Sequence, residues 1–203
     1  MSKNLIITDF IEPFKRFEEY FEKAKNDNKI TEPTAMCLSS VNSNGEPSSR
    51  IVLLKKFNNN GFYFFTNFTS RKGREIIANP NVALCFFWAS LGIQIRISGK
   101  ASKISDAEAD EYFATRPKDS QIGAWASKQS SEMNDWKEFE DRINEINIKF
   151  TNREVPRPEF WSGFCVNPKE IEFWFEGKFR IHRRELYVRD YSDNSWQVKK
   201  LYP

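Results

Sequence analysis

From Thr34 onward the chain is cut into short apolar runs by turn residues, and this texture constrains the fold more than any other feature. Residues 35–41 are followed by Asn44-Gly45, a hairpin signal, because both residues tolerate the positive φ that tight hairpin turns require. Arg50-Ile51-Val52-Leu53-Leu54-Lys55 is a short apolar run bracketed by two cations, and residues 58–61 turn the chain into the aromatic run 62–66. Residues 82–89 are almost wholly apolar. Ile93, Ile95 and Ile97 then alternate with Gln94, Arg96 and Ser98, which gives one buried face and one polar face. In the last third, residues 161–167 and 170–175 read as strands separated by Pro168, Glu176-Gly177 turns into a strand over 179–189, and residues 192–194 turn into 196–202. Seven or eight short antiparallel strands with helices set between them imply a mainly β protein, a β-barrel decorated by helices.

The helical segments have their own signals. Phe10, Phe14, Phe17, Phe21 and Ala24 recur at alternating spacings of four and three, so they share one face, and Pro13 fits only a first turn beginning near Glu12. Ser70 is placed to cap a helix over 71–79 that Pro80 helps to end. Ser105-Asp106-Ala107-Glu108 is a capping box opening a helix to about Thr115. A further helix over about 132–150 carries Trp136, Phe139, Ile143, Ile146 and Phe150 on one side. No repeat or linker divides residues 1–203, which read as a single domain with residues 1–30 as an N-terminal helical segment packed on the barrel.

Composition limits the chemistry. One histidine in 203 residues, His182, excludes within one subunit a multi-histidine zinc site, a two-histidine iron site and the H-E-x-x-H motif. A lone histidine with no nucleophile beside it also argues against a hydrolase triad. Demanding chemistry therefore has to come from a bound organic cofactor, yet no Gly-rich dinucleotide fingerprint or phosphate loop is present. Cys37, Cys85 and Cys165 sit in apolar runs and read as small buried thiols of a reducing compartment. With no secretory signal and no apolar run of membrane-spanning length, the expected location is cytoplasmic. A net charge of +3 is too balanced for a generic nucleic-acid binder or a membrane clamp.

The cations cluster. Arg50 and Lys55 flank one strand, and Arg71, Lys72 and Arg74 open a helix whose N–H groups already favour an anion. Arg116 and Lys118 follow another helix, and Arg180, His182, Arg183 and Arg184 lie late in the chain. Hydroxyls and amides accompany them at Thr66, Ser70, Ser120, Gln129 and Ser130, a set able to bind two phosphates. Taken singly, most of these cations read better as solvated surface, and only the pair bracketing the Ile51–Leu54 run resists that reading. On a strand, Arg180, His182 and Arg184 would share one face, suited to an anionic planar ligand or simply to water.

Several ordered motifs then carry a resemblance. They are the segment from Arg50 to Lys55, Phe64-Phe65-Thr66-Asn67-Phe68-Thr69-Ser70-Arg71-Lys72, the run from Tyr112 to Trp125, Ser127-Lys128-Gln129-Ser130-Ser131, Glu172-Phe173-Trp174, Arg180-Ile181-His182 and Leu201-Tyr202-Pro203. In this order they resemble the pyridoxamine 5'-phosphate oxidases, from about Glu32 to the C-terminus. The resemblance implies a split β-barrel of the FMN-binding type, with FMN at a homodimer interface. It implies oxidation of pyridoxamine or pyridoxine 5'-phosphate to pyridoxal 5'-phosphate, with oxygen as acceptor and hydrogen peroxide as by-product.

By motif position, the resemblance places Arg50, Ile51, Val52, Leu53, Leu54, Lys55, Phe65, Thr66, Arg71, Lys72, Gln94, Gln129, Ser130, Trp174 and Arg184 around FMN. It places Lys55, Tyr112, Arg116 and Ser120 on the substrate phosphate, and Arg180 and His182 against the pyridine ring as the catalytic pair. It implies no metal, nucleic-acid or membrane partner. The chain departs from the family pattern at Arg183, where Asp is usual, and at Ile93, where Arg commonly precedes Gln94. It also begins only a few residues before its first helix, where many members carry an extension that folds over the substrate. A related split-barrel flavoprotein acting on another small molecule, and a non-catalytic binding module for FMN or pyridoxal phosphate, are the competing readings.

Overall fold

The computed structural model describes residues 5–7 and 10–203, with side chains from residue 10 onward, so residues 1–4 and 8–9 of the expected N-terminal segment lie outside the described residues. In chain order the elements are β1 (Leu5–Ile7), α1 (Glu12–Lys25), β2 (Ala35–Val41), β3 (Pro47–Leu53), β4 (Lys56–Asn58), β5 (Gly61–Asn67), α2 (Arg71–Ala78) and β6 (Asn81–Trp88). They continue as β7 (Ile93–Lys103), α3 (Asp106–Ala114), α4 (Lys118–Ala126), α5 (Trp136–Lys149), β8 (Trp161–Phe175), β9 (Arg183–Asp190) and β10 (Ser195–Leu201).

Every strand pairing among the described residues is antiparallel, in the order β1-β10-β9-β8-β7-β6-β2-β3, with β5 paired to β4 and β8. The split lies in β8. Its first half, Trp161 to Val166, pairs with β5, and its second half, Glu170 to Phe175, pairs with β9, while β7 runs along its other edge throughout. The hand-over occurs at Pro168, opposite a register shift between Ser98 and Gly99. Proline has no N–H to give a ladder and survives inside a sheet at such a bulge. Gly99 is required there, because a Cβ would sit 2.1 Å from the Asn167 carbonyl oxygen. One bulged strand thus stands where the sequence predicts two.

The curled sheet closes over α1. Phe14, Phe17, Phe21 and Ala24 are buried, and the Phe17 ring lies 4.9 Å from Phe57 and Phe62 and 5.2 Å from Phe86. The expected start at Glu12 and the expected buried face of α1 are both found. Ile93, Ile95 and Ile97 point into the same core. A second, smaller core of Phe113, Ile122, Phe150, Val155 and Trp161 lies beneath α3, α4 and α5. Arg157 pins this layer by donating to Asp106 (2.8 Å), Asp110 (2.6 Å) and the Trp161 carbonyl (2.8 Å), which ties α3 to the start of β8.

Other elements differ from expectation. The segment ahead of α1 contributes a strand, β1, as well as the helix. Helix α4 occupies residues read as connection, although Pro117 before its first turn and Asp119 within that turn are helix-start features. Helix α5 begins at Trp136, capped by the Asp135 side chain, and its apolar residues are not all covered, since Trp136 is 71% exposed. Cys165 is buried, whereas Cys37 and Cys85 are only half-buried and face each other across β2 and β6. Among the described residues no helix is long and apolar enough to cross a membrane.

The largest correction concerns the late strand. β9 begins at Arg183, and residues 178–180 form a tight turn with positive φ at Phe179 (56°) and Arg180 (64°). Arg180 and His182 are therefore not on a strand with Arg184 and share no strand face with it. The turn packs so closely that a Cβ on Gly177 would stand 1.9 Å from the Ile181 carbonyl oxygen.

Candidate active site

A cleft of about 690 Å³ opens between the β3–β5 side of the barrel and the α3–α4 layer. Ile51, Val52 and Leu53 of β3 form one wall, with Lys55 just beyond the strand end. Phe65 and Thr66 of β5 form the floor, and Tyr112 of α3, Arg116 of the α3–α4 connection and Ser120 of α4 reach in. Lys72 and Gln129 close one end.

The floor is an aromatic stack. The Phe65 ring lies 3.9 Å from Tyr112 at 17° and 5.4 Å from Trp161 at 13°, in contact ranges where offset rings attract. Arg116 lays its guanidinium over Trp161, 4.6 Å from the ring centre. Its Nη1 is buried with no hydrogen-bond partner among the described residues, and burial pushes its pKa down. Burial pushes the Tyr112 hydroxyl up, against the pull of Arg116. Trp161, buried in the smaller core, is thus also the platform under a cleft cation.

At the other end Lys72 Nζ donates to Gln129 Oε1 (2.9 Å), which also accepts from Thr66 Oγ1 (3.2 Å). Burial, with repulsion from Arg50, pushes the Lys72 ammonium down to about 8. No ion pair is found for Lys55, Lys72 or Arg116 among the described residues, so each has its charge to offer.

Arg50 and Arg71 are held differently. Arg50 turns beneath Lys72 to Ser40, Ser48 and Glu75, and Arg71 Nε donates to Glu75 Oε1 (2.8 Å). Glu75 escapes sequence reading, although its four-residue spacing from Arg71 is the signal of a helical ion pair. Leu54 is buried in the main core with its N–H given to the Thr34 carbonyl, so its side chain is not in the cleft. Ser130, at φ 68°, sits on the exposed loop after Gln129.

The remaining residues form a second group. Gln94, Trp174 and Arg184 are direct cross-strand neighbours on β7, β8 and β9. The His182 ring lies 4.5 Å from Trp174, and its Nδ1 accepts the Gly177 N–H (3.2 Å). Glu172 accepts from Arg184 Nε (2.7 Å) and Arg96 Nη1 (3.0 Å), and the Arg184 pKa is held up by that bond. Arg180 is exposed on the neighbouring turn. None of this group lines the cleft. Along β8, Trp161 and Trp174 are separated by about 40 Å of strand at ~3.3 Å per residue.

Residues 23–150 match the family model described as pyridoxamine 5'-phosphate oxidase, and residues 161–203 match its C-terminal dimerisation region. The chain belongs to the pyridoxamine 5'-phosphate oxidase family. It is 46% identical over 192 residues to the pyridoxine/pyridoxamine 5'-phosphate oxidase of Myxococcus xanthus strain DK1622, covering 95% of this chain and 92% of that one. The Brucella canis protein of the same name is 43% identical over 196 residues, covering 97% and 96%. Among solved structures, PhzG from Burkholderia lata, in complex with tetrahydrophenazine-1-carboxylic acid, superimposes with a TM-score of 0.87 at 31% identity, covering 94% and 92%. An FMN-binding protein of Nostoc punctiforme shares the fold, with a TM-score of 0.74 at 15% identity. The split-barrel fold implied by the motifs is the one found. The second group of residues falls largely within the dimerisation region, which includes Trp174, Arg180, His182 and Arg184.

Proposed function

We propose that this chain is an FMN-dependent oxidase of pyridoxamine and pyridoxine 5'-phosphates, working as a homodimer in which the cleft of one protomer meets the Gln94–Trp174–Arg184 row of its partner. The observation that carries this reading is the cleft's charge. It has two cationic ends, Lys72 at one, backed by the Glu75-bound Arg50 and Arg71, and Arg116 with Lys55 at the other, separated by an aromatic floor.

The residues fit FMN. A desolvated Lys72 without a carboxylate partner, beside two arginines, is what a phosphate monoester requires. The partnerless Nη1 of Arg116, together with Lys55, Tyr112 and Ser120, fits a second phosphate, that of the substrate. Bound FMN supplies two-electron acceptance from the substrate carbon, with oxygen as the final acceptor and hydrogen peroxide leaving.

The chain's own residues bind, orient and exclude water. Phe65, Tyr112 and Trp161 present an apolar floor that keeps solvent from a flat ligand. Arg116 and Lys55 anchor the phosphate and so fix the ring's reach. Because His182 Nδ1 accepts a hydrogen bond, the neutral ring carries its proton on Nε2, available for a substrate oxygen or nitrogen. Arg180, on a turn held by Gly177, offers a guanidinium to the substrate ring or to charge developing on it.

The test uses FMN-loaded protein. Anaerobic pyridoxamine 5'-phosphate should bleach the flavin, and air should restore it with formation of pyridoxal 5'-phosphate and peroxide. Pyridoxamine without its phosphate should require a far higher concentration. Flavin that stays oxidised under saturating pyridoxamine 5'-phosphate refutes the assignment.

A further inference from the structure

Glu75 is a buried carboxylate, 5% exposed, in the second turn of α2. Its Oε2 accepts from Ser40 Oγ (2.5 Å) and Ser48 Oγ (2.7 Å) and lies 3.2 Å from Arg50 Nη2, while Oε1 accepts from Arg71 Nε (2.8 Å). The two serines serve twice, because Ser40 and Ser48 also accept from Arg50 Nη1 and Nη2 at 2.5 Å each. One carboxylate therefore organises two guanidiniums and two hydroxyls drawn from β2, β3 and α2.

Burying an acid is unfavourable unless its partners overcome the lost hydration. Burial alone would raise the Glu75 pKa, but the bonds from Ser40, Ser48, Arg71 and Arg50 reverse this and hold it at about 2. An exposed Arg–Glu pair at this helical spacing would support α2 without any such arrangement. The placement is explained by what lies above it. Arg50 lies close enough to add its repulsion to the burial that depresses Lys72, and Arg71 stands one residue away at the start of the same helix.

We propose that Glu75 is the positioning residue of the flavin-phosphate end of the cleft. It fixes Arg50 and Arg71 in place and offsets one of the three cations there, leaving the two positive charges that a phosphate monoester dianion matches. This rests on the assignment of that end to FMN. Free of Glu75, the two guanidiniums would repel each other and Lys72, and their orientation would have to be fixed at each binding event.

The experiment is equilibrium titration of the apoprotein with FMN, and separately with riboflavin, which lacks the phosphate, followed by quenching of flavin fluorescence. Thermal melting of each variant runs beside it. Glu75→Gln keeps the side chain's size and removes its charge. It should weaken FMN at least about ten-fold, the usual scale for charge-assisted bonds, and leave riboflavin within about two-fold. Glu75→Asp, shorter but charged, should recover part of the loss, and it carries the comparison if Glu75→Gln does not fold. Equal losses for both ligands would mean that Glu75 only supports the fold, and unchanged or tighter FMN binding would mean that it opposes the phosphate. Either result overturns the proposal. A wild-type protein that does not distinguish FMN from riboflavin would instead remove the phosphate assignment itself, and the proposal with it.

Discussion

Lys72 allows the sharpest prediction, because its environment fixes both the size and the pH dependence of the effect. In the free protein burial and Arg50 hold its pKa at about 8, well below the ordinary 10.5. Its hydrogen-bonding neighbours, Ser70 and Gln129, do not titrate. A phosphate dianion arriving beside Lys72 would restore the ordinary pKa or exceed it, so binding takes up a proton wherever free Lys72 is neutral. FMN affinity should then be highest near pH 7, where the phosphate is a dianion, and fall as the pH approaches and passes 8. By linkage it should be down about two-fold at pH 8 and roughly ten-fold at pH 9. In Lys72→Met the loss of a charge-assisted bond worth ~1.5–3 kcal/mol should weaken FMN about ten- to a hundred-fold at pH 7. The decline between pH 8 and 9 should disappear with it. Because a depressed lysine pKa means that the charged form disfavours folding, the apoprotein melting temperature should stay level or rise. Fluorescence titrations from pH 6.5 to 9.5 measure all of this. A Lys72→Met protein with the same alkaline loss of affinity as wild type would refute the reasoning.

Arg116→Ala should raise KM for pyridoxamine 5'-phosphate by roughly ten-fold or more while leaving the already poor use of unphosphorylated pyridoxamine unchanged, read from steady-state kinetics. Gly177→Ala should displace the turn bearing Arg180 and His182, because its Cβ meets backbone at 1.9 Å. The expected result is kcat/KM down by roughly ten-fold or more with FMN affinity of the apoprotein little changed. Phe17→Ala removes a fully buried ring from the centre of the core and should destabilise the fold by about 3–5 kcal/mol in urea unfolding.

The parts of the molecule legible in sequence are those set by local chemistry. The alternation at Ile93, Ile95 and Ile97, the phenylalanine face of α1 and the capping residues Ser70 and Ser105 each act within a few residues, and each is found as read. What escaped depends on distant partners. Pro168 ends a strand by local rules, but a glycine on β7 opposite it lets β8 continue. The late motif Arg180-Ile181-His182 has strand-like spacing, and nothing local announces two successive residues at positive φ, a conformation held by close packing against Gly177. The site behaves similarly. Cations clustered at Arg71 and Lys72 are visible as a run, whereas the carboxylate that organises them draws on Ser40 and Ser48, far away in the chain. Register alone brings Gln94, Trp174 and Arg184 into line.

The length of β8 has a consequence at the level of mixed assemblies. With Trp161 under the cleft at one end and Trp174 in the second group at the other, one strand would serve two different sites in the proposed symmetric dimer. If the cleft of one protomer is completed by its partner as proposed, homodimers altered at Arg116 and homodimers altered at Arg184 should each be strongly impaired at low substrate. Combined in one dimer, they place both lesions in a single site and leave the other intact. Refolding an equal mixture should return roughly a quarter of wild-type activity at low substrate from two impaired proteins, since half the dimers formed at random are mixed and each of those has one sound site.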